Sequence, residues 1–165
     1  MRSRQAIVIT LILLVAVTVQ VSVFGRFRVG SIAPDLVLIA LVLTSFRMGP
    51  STALITAFGC GLALDALSSE ALGLRAMTYT AVMFAAVRTK ERANAGPVAT
   101  AFWIAALTLG GVLLLGLVGT LFGQLQFSGG QMLARIVVIP LLNLAIGLVL
   151  VPAIARIQAP SRRFR

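Results

Sequence analysis

Two carboxylates stand out in an otherwise apolar chain. Asp35 follows Pro34 at the start of one hydrophobic run, and Asp65 closes another, GPSTALITAFGCGLALD, which begins at Gly49. A pair of carboxylates can serve as general acid and general base, or as acid and nucleophile, as in glycoside hydrolysis. That chemistry needs supporting groups, and the chain offers few. It has no histidine, no serine-based nucleophile motif and no glycine-rich phosphate loop followed by lysine. A single cysteine, Cys60, excludes an intramolecular disulfide and, without histidine, leaves no ligand set for zinc. No other cofactor is implied. The acids lie at the ends of apolar runs or in loops, which argues against a proton- or sodium-driven pump.

Local chemistry suggests other roles for these residues. Asp35 falls in the first turn of a helix, where free backbone N–H groups and the macrodipole favour a negative charge, so capping is one account of it. Asp65 falls at a helix C-terminus, where the dipole opposes it. A cation such as Arg75 would explain it, and a solvated loop position is the alternative. With Arg135 at the start of a later run and Glu70 between, Asp35, Asp65 and Arg75 form an expected ion cluster near one membrane–water boundary. Asn143 is the main polar residue inside a run, either an interhelical hydrogen-bond donor or a pocket lining. Pro140 nearby predicts a kink, and Tyr79 and Trp103 are expected as packing or interface anchors.

The elements that must position these residues are membrane spans. Of 165 residues, 59% are hydrophobic, and the mean hydropathy is +1.06, far outside ordinary soluble composition. Apolar runs at about 6–24, 35–46, 50–65, 74–87, 98–121 and 132–154 predict an all-α, polytopic bundle of six transmembrane helices in one domain. The first run is longer than a signal-peptide core and is expected to be an uncleaved span. Six spans place Arg2, Arg4, Arg47, Arg88, Lys90, Arg92, Arg156, Arg162, Arg163 and Arg165 on one side, and only Arg26, Arg28, Arg75 and Arg135 on the other. Under the positive-inside rule both termini are therefore cytoplasmic. The same topology, with the anionic bilayer surface, accounts for the net charge of +10 without a nucleic-acid partner.

Within the third run, Gly49, Ala53, Ala57 and Gly61 recur at intervals of four, with Asp65 at the fifth position. Small residues at this spacing let a second helix backbone approach closely, the usual basis of helix association in lipid. Ala53, Ala57 and Gly61 are thus candidates for packing against a neighbouring or partner helix.

The segment Ala33-Pro34-Asp35-Leu36, then Gly49, then Phe58-Gly59-Cys60-Gly61-Leu62 closing on Asp65, then Gly73-Leu74, resembles the MreD family of bacterial rod shape-determining membrane proteins. The motif region spans about a quarter of the chain, and the remainder agrees in span pattern. The resemblance implies a non-enzymatic partner of the MreC transmembrane helix in the cell (inner) membrane. Through MreC it implies indirect links to MreB filaments, a RodA-type polymerase and a penicillin-binding transpeptidase, with a homodimer as a further expectation. It also implies a fold similar to the substrate-binding subunits of energy-coupling-factor transporters, and hence an alternative function in binding a vitamin-like molecule. Such subunits carry an Ala-x-x-x-Ala contact in the first span. Here Ala6 and Ala16 are too far apart for it, and Ala53 and Ala57 lie in the third span.

Overall fold

The computed structural model describes residues 3–23, 33–68, 72–91, 96–123 and 131–158. Each apolar run forms a helix: α1 (Ser3–Ser22), α2 (Leu36–Ser45), α3 (Pro50–Leu67), α4 (Leu74–Arg88), α5 (Pro97–Leu121) and α6 (Gln131–Gln158). Helix starts follow local chemistry. Asp35 caps α2 by accepting from the Leu38 N–H, and Pro50 and Pro97 open α3 and α5 where a missing N–H costs nothing. Gly73 and Gly96 hold positive φ at the turns into α4 and α5, a conformation that side chains disfavour. Pro140 and Pro152 lie within α6, which continues through both.

The helices are unequal. Four of them, α1, α3, α5 and α6, are long and apolar enough to cross a membrane. α2, with 10 residues, is about 15 Å long, half the thickness of a bilayer's hydrocarbon core. α4, with 15 residues, reaches about 22 Å.

α2 is nevertheless the centre of the molecule. It touches each of the other five helices, which form a ring in the order α1, α3, α4, α5, α6; among the described residues no Cα atom of α6 comes within 8 Å of one of α1, so the ring is open there. Val37, Leu38, Ile39, Leu41 and Val42 of α2 are buried, and with Ile9 and Leu13 of α1, Tyr79 and Met83 of α4 and Trp103 and Ile104 of α5 they make the core. Small residues bring the outer helices together. Gly61 of α3 lies against the Ala76 backbone of α4, and Gly147 of α6 lies against Ala101 of α5. Large apolar side chains such as Ile7, Ile55, Phe102, Leu117 and Val149 cover the outside, a surface suited to lipid.

Candidate functional site

The residues with the most chemical potential converge on the turn that begins α2. The side-chain amide of Gln20, from α1, donates from Nε2 to the Pro34 carbonyl at 3.0 Å and accepts at Oε1 from the Leu36 N–H at 2.9 Å. Asn143, from α6, repeats the pattern one residue along. Its Oδ1 accepts from the Asp35 N–H at 3.0 Å, while its Nδ2 donates to the Asp35 carbonyl at 3.4 Å and to Thr108 Oγ1 of α5 at 3.0 Å. The Asp35 carboxylate accepts from the Leu38 N–H at 2.9 Å and from the Tyr79 hydroxyl of α4 at 2.8 Å. The Arg75 guanidinium lies close enough to the Tyr79 hydroxyl and to Asp35 to act on both electrostatically.

The height of this hub explains why it is so fully bonded. Thr108 lies near the middle of α5 and Asn143 near the middle of α6, about 16 Å from Pro97 and about 18 Å from Gln131 along their helices. The first turn of α2 thus opens halfway along the two longest helices. A helix start at that height needs partners for its backbone N–H groups, and Gln20 of α1, Asn143 of α6 and Asp35 itself supply them, while Tyr79 of α4 and Thr108 of α5 hold the Asp35 and Asn143 side chains. The sequence places Asp35 at the start of a span, near the membrane boundary; the structure places it beside Asn143 and, through it, Thr108, near the midpoints of α6 and α5.

Asp65 performs a related task for α4. Its carboxylate is 1% exposed and accepts from the N–H groups of Gly73 at 2.9 Å, Arg75 at 3.1 Å and Ala76 at 3.2 Å. These are the orphan donors of the first turn of α4, whose own cap residue, Gly73, has no side chain to offer. An acid at the C-terminal end of α3, unfavourable for its own helix, is therefore the N-cap of the next. The backbone at Arg75, as well as any charge on its side chain, is what holds it.

The remaining expected residues separate. Ala53, Ala57 and Gly61 are buried and turned inward; a Cβ on Gly61 would stand 2.5 Å from Ala76 Cα. Gly61 thus packs on α4 of the same chain and Ala53 and Ala57 join the core, so packing between neighbouring helices is one use this stripe serves. Arg135 lies eight residues before Asn143, about 12 Å further along α6, and does not join the hub. Its Nε is buried without a hydrogen-bond partner among the described residues. Glu70 lies outside the described residues.

Some positions carry roles that their residue types alone do not reveal. Tyr79, expected as an anchor, is a hydrogen-bond donor to Asp35. Gln20 and Thr108 give one cue only, polar groups inside apolar runs. At the other end of α2, Lys90 Nζ donates to the Ser45 carbonyl at 2.9 Å and rests 5.3 Å from the Phe46 ring centre. A cation thus meets the negative end of α2 as an acid meets its positive end. Trp103 packs on Phe46 and donates to Thr89. Cys60 is half-buried in α3.

Chemically, the hub is a closed set of donors and acceptors spent on the backbone of a half-length helix. With apolar side chains outside and polar ones turned onto helix ends inside, the fold and site define a polytopic helical membrane protein whose polar interior serves architecture. A family profile described as MreD, rod shape-determining protein MreD, matches residues 1–157, and the chain belongs to that family. Membership assigns it a role in the determination of rod shape. Comparison with curated proteins returned no match, and comparison with solved structures returned none.

Proposed function

We propose that this chain is a non-enzymatic scaffold of the bacterial cell-elongation complex. In this reading it binds the MreC transmembrane helix and supports peptidoglycan synthesis along the side wall, linked through MreC to MreB, a RodA-type polymerase and a penicillin-binding transpeptidase. The observation that carries the reading is the family match over residues 1–157. The hub supports it: Asn143, Asp35 and Tyr79 hold one another and the start of α2, an arrangement that stiffens a bundle rather than presenting groups to a substrate.

The chain resides in the inner membrane with both termini cytoplasmic, six helices crossing or entering the bilayer. Arg4, Arg47, Arg88 and Lys90 at one end of the helices favour that orientation. The vitamin-binding alternative draws no support from Asn143, whose amide is engaged with α2 and α5.

Co-expression with MreC, followed by affinity purification of the tagged chain from detergent-solubilised membranes, tests the scaffold. MreC should co-elute in stoichiometric amount and cells depleted of this chain should round up. Native mass spectrometry showing a co-bound small molecule, with no MreC retained, would reverse the assignment in favour of transport.

A further inference from the structure

Two exposed guanidiniums stand at one end of the α3–α4 pair. Gly61 of α3 lies against Ala76 of α4, and the two helices run antiparallel. Pro50 and Val87 lie equally far from that contact, about 16 Å along their helices, and so share a level. Arg47, in the turn before α3, and Arg88, the last residue of α4, therefore sit on neighbouring helix ends, and both are exposed. Lys90 ties these ends together, since it follows α4 and reaches the Ser45 carbonyl and the Phe46 ring, just before Arg47. Among the described residues neither guanidinium has a hydrogen bond or an ion pair. Glu91, the acid at this end among those residues, is itself exposed and pairs with neither.

The side chains next to them set the depth. Arg88 rests over the Phe84 ring, 5.1 Å from its centre, and Phe84 is 52% exposed. Phe84 continues an outward stripe of α4 with Met77 and Ala81, and Ile55, Phe58 and Leu62 make the corresponding stripe of α3. A wall of this kind faces acyl chains, so the guanidinium at its end marks the membrane–water boundary. The acceptors that a bilayer offers at that level are lipid phosphates. A guanidinium presents parallel N–H groups that match phosphate oxygens two at a time. Two guanidiniums with Lys90 beside them, against a single acid, favour a headgroup of net negative charge over a zwitterionic one, whose ammonium they repel.

We propose that the α3–α4 wall binds an anionic phospholipid, with its phosphate between Arg47 and Arg88 and an acyl chain along Phe84, Ala81 and Met77. Under the proposed orientation this lipid belongs to the cytoplasmic leaflet. The site goes beyond the scaffold reading and holds whether or not MreC is bound.

The test is native mass spectrometry of the purified full chain in detergent, titrated with phosphatidylglycerol or with phosphatidylcholine of the same acyl chains. Phosphatidylglycerol should occupy a first site roughly twentyfold more tightly, at about fivefold for each arginine. Arg47→Gln and Arg88→Gln should each lower its affinity about fivefold, and the double variant should bind the two lipids alike. Arg156→Gln is the control, because α6 approaches neither α3 nor α4; it should leave the preference unchanged. In the unmodified chain, rising ionic strength should weaken the preference, which keeps the test decisive if a glutamine variant does not accumulate. Equal binding of the two lipids, a preference that survives the double variant or high salt, or a loss in Arg156→Gln as large as in Arg88→Gln would each overturn the site. If the double variant loses the lipid preference and still retains MreC, the site and the scaffold both stand. If the chain prefers phosphatidylglycerol as stated but never retains MreC, the scaffold fails and the site stands.

Discussion

Gly61 shows how little room the α3–α4 contact leaves. A Cβ there would stand 2.5 Å from Ala76 Cα and 2.6 Å from its nitrogen, and both are backbone atoms that cannot turn aside. Gly61→Ala should therefore destabilise the protein by about 1–3 kcal/mol, as overpacking does. Gly59→Ala, with nothing within 4 Å of its added carbon, should be neutral or mildly stabilising because alanine favours helix. Thermal midpoints in detergent, read by size-exclusion chromatography of heated samples, compare the two. Asp65→Asn removes the charge and one acceptor oxygen from the first turn of α4. It should cost about 1–3 kcal/mol, the usual penalty for buried donors left short of partners. Hydrogen exchange at Gly73, Arg75 and Ala76 should quicken in that variant. If it does not, the cap is unimportant and a cation such as Arg75 accounts for Asp65.

At the scale of helices, α2 is held at both ends by groups from elsewhere in the chain. Gln20, Asn143 and Asp35 satisfy its start, and Lys90 meets its last carbonyl, that of Ser45. Asn143→Leu should cost about 1–3 kcal/mol, because it strips partners from the Asp35 N–H and from Thr108 at a depth where water does not replace them. Lys90→Met keeps the stem over Phe46 but removes the charge at the helix C-terminus, and should cost about 0.3–1 kcal/mol. If both variants melt alike, the polar hub contributes no more than a surface cap. The six helical runs and the Asp35 cap were legible in the sequence, since helix period and capping act over a few residues. The α2 length was legible as a number, but its consequence was not. That depends on α5 and α6 standing beside it at mid-height, and Asn143 lies 108 residues from Asp35.

Taken whole, the molecule is a ring of helices around a half-length centre, open on one side. The proposed orientation has a direct readout. In a Cys60→Ser background, Gly123→Cys, at the far end of α5, should react with a membrane-impermeant maleimide in intact cells. Arg47→Cys, between α2 and α3, should react only after permeabilisation. The opposite pattern would invert the topology and with it the cytoplasmic termini.

Composition and the small-residue and Pro-Asp motifs were enough to mark this chain as a helical membrane protein resembling the MreD family, because hydropathy, helix starts and short motifs are properties of neighbouring residues. Packing between distant helices assigned the partners. Asp65, expected to answer a cation such as Arg75 or to be solvated, caps the backbone turn that begins α4, and of the small residues expected to pack on a neighbouring or partner helix, Gly61 packs on α4. Asp35 was expected near a membrane boundary and sits at the middle of the bundle. In each case the residue's chemistry was readable from its type, while its counterpart and its depth depend on which helices stand side by side, a relation that no local spacing encodes.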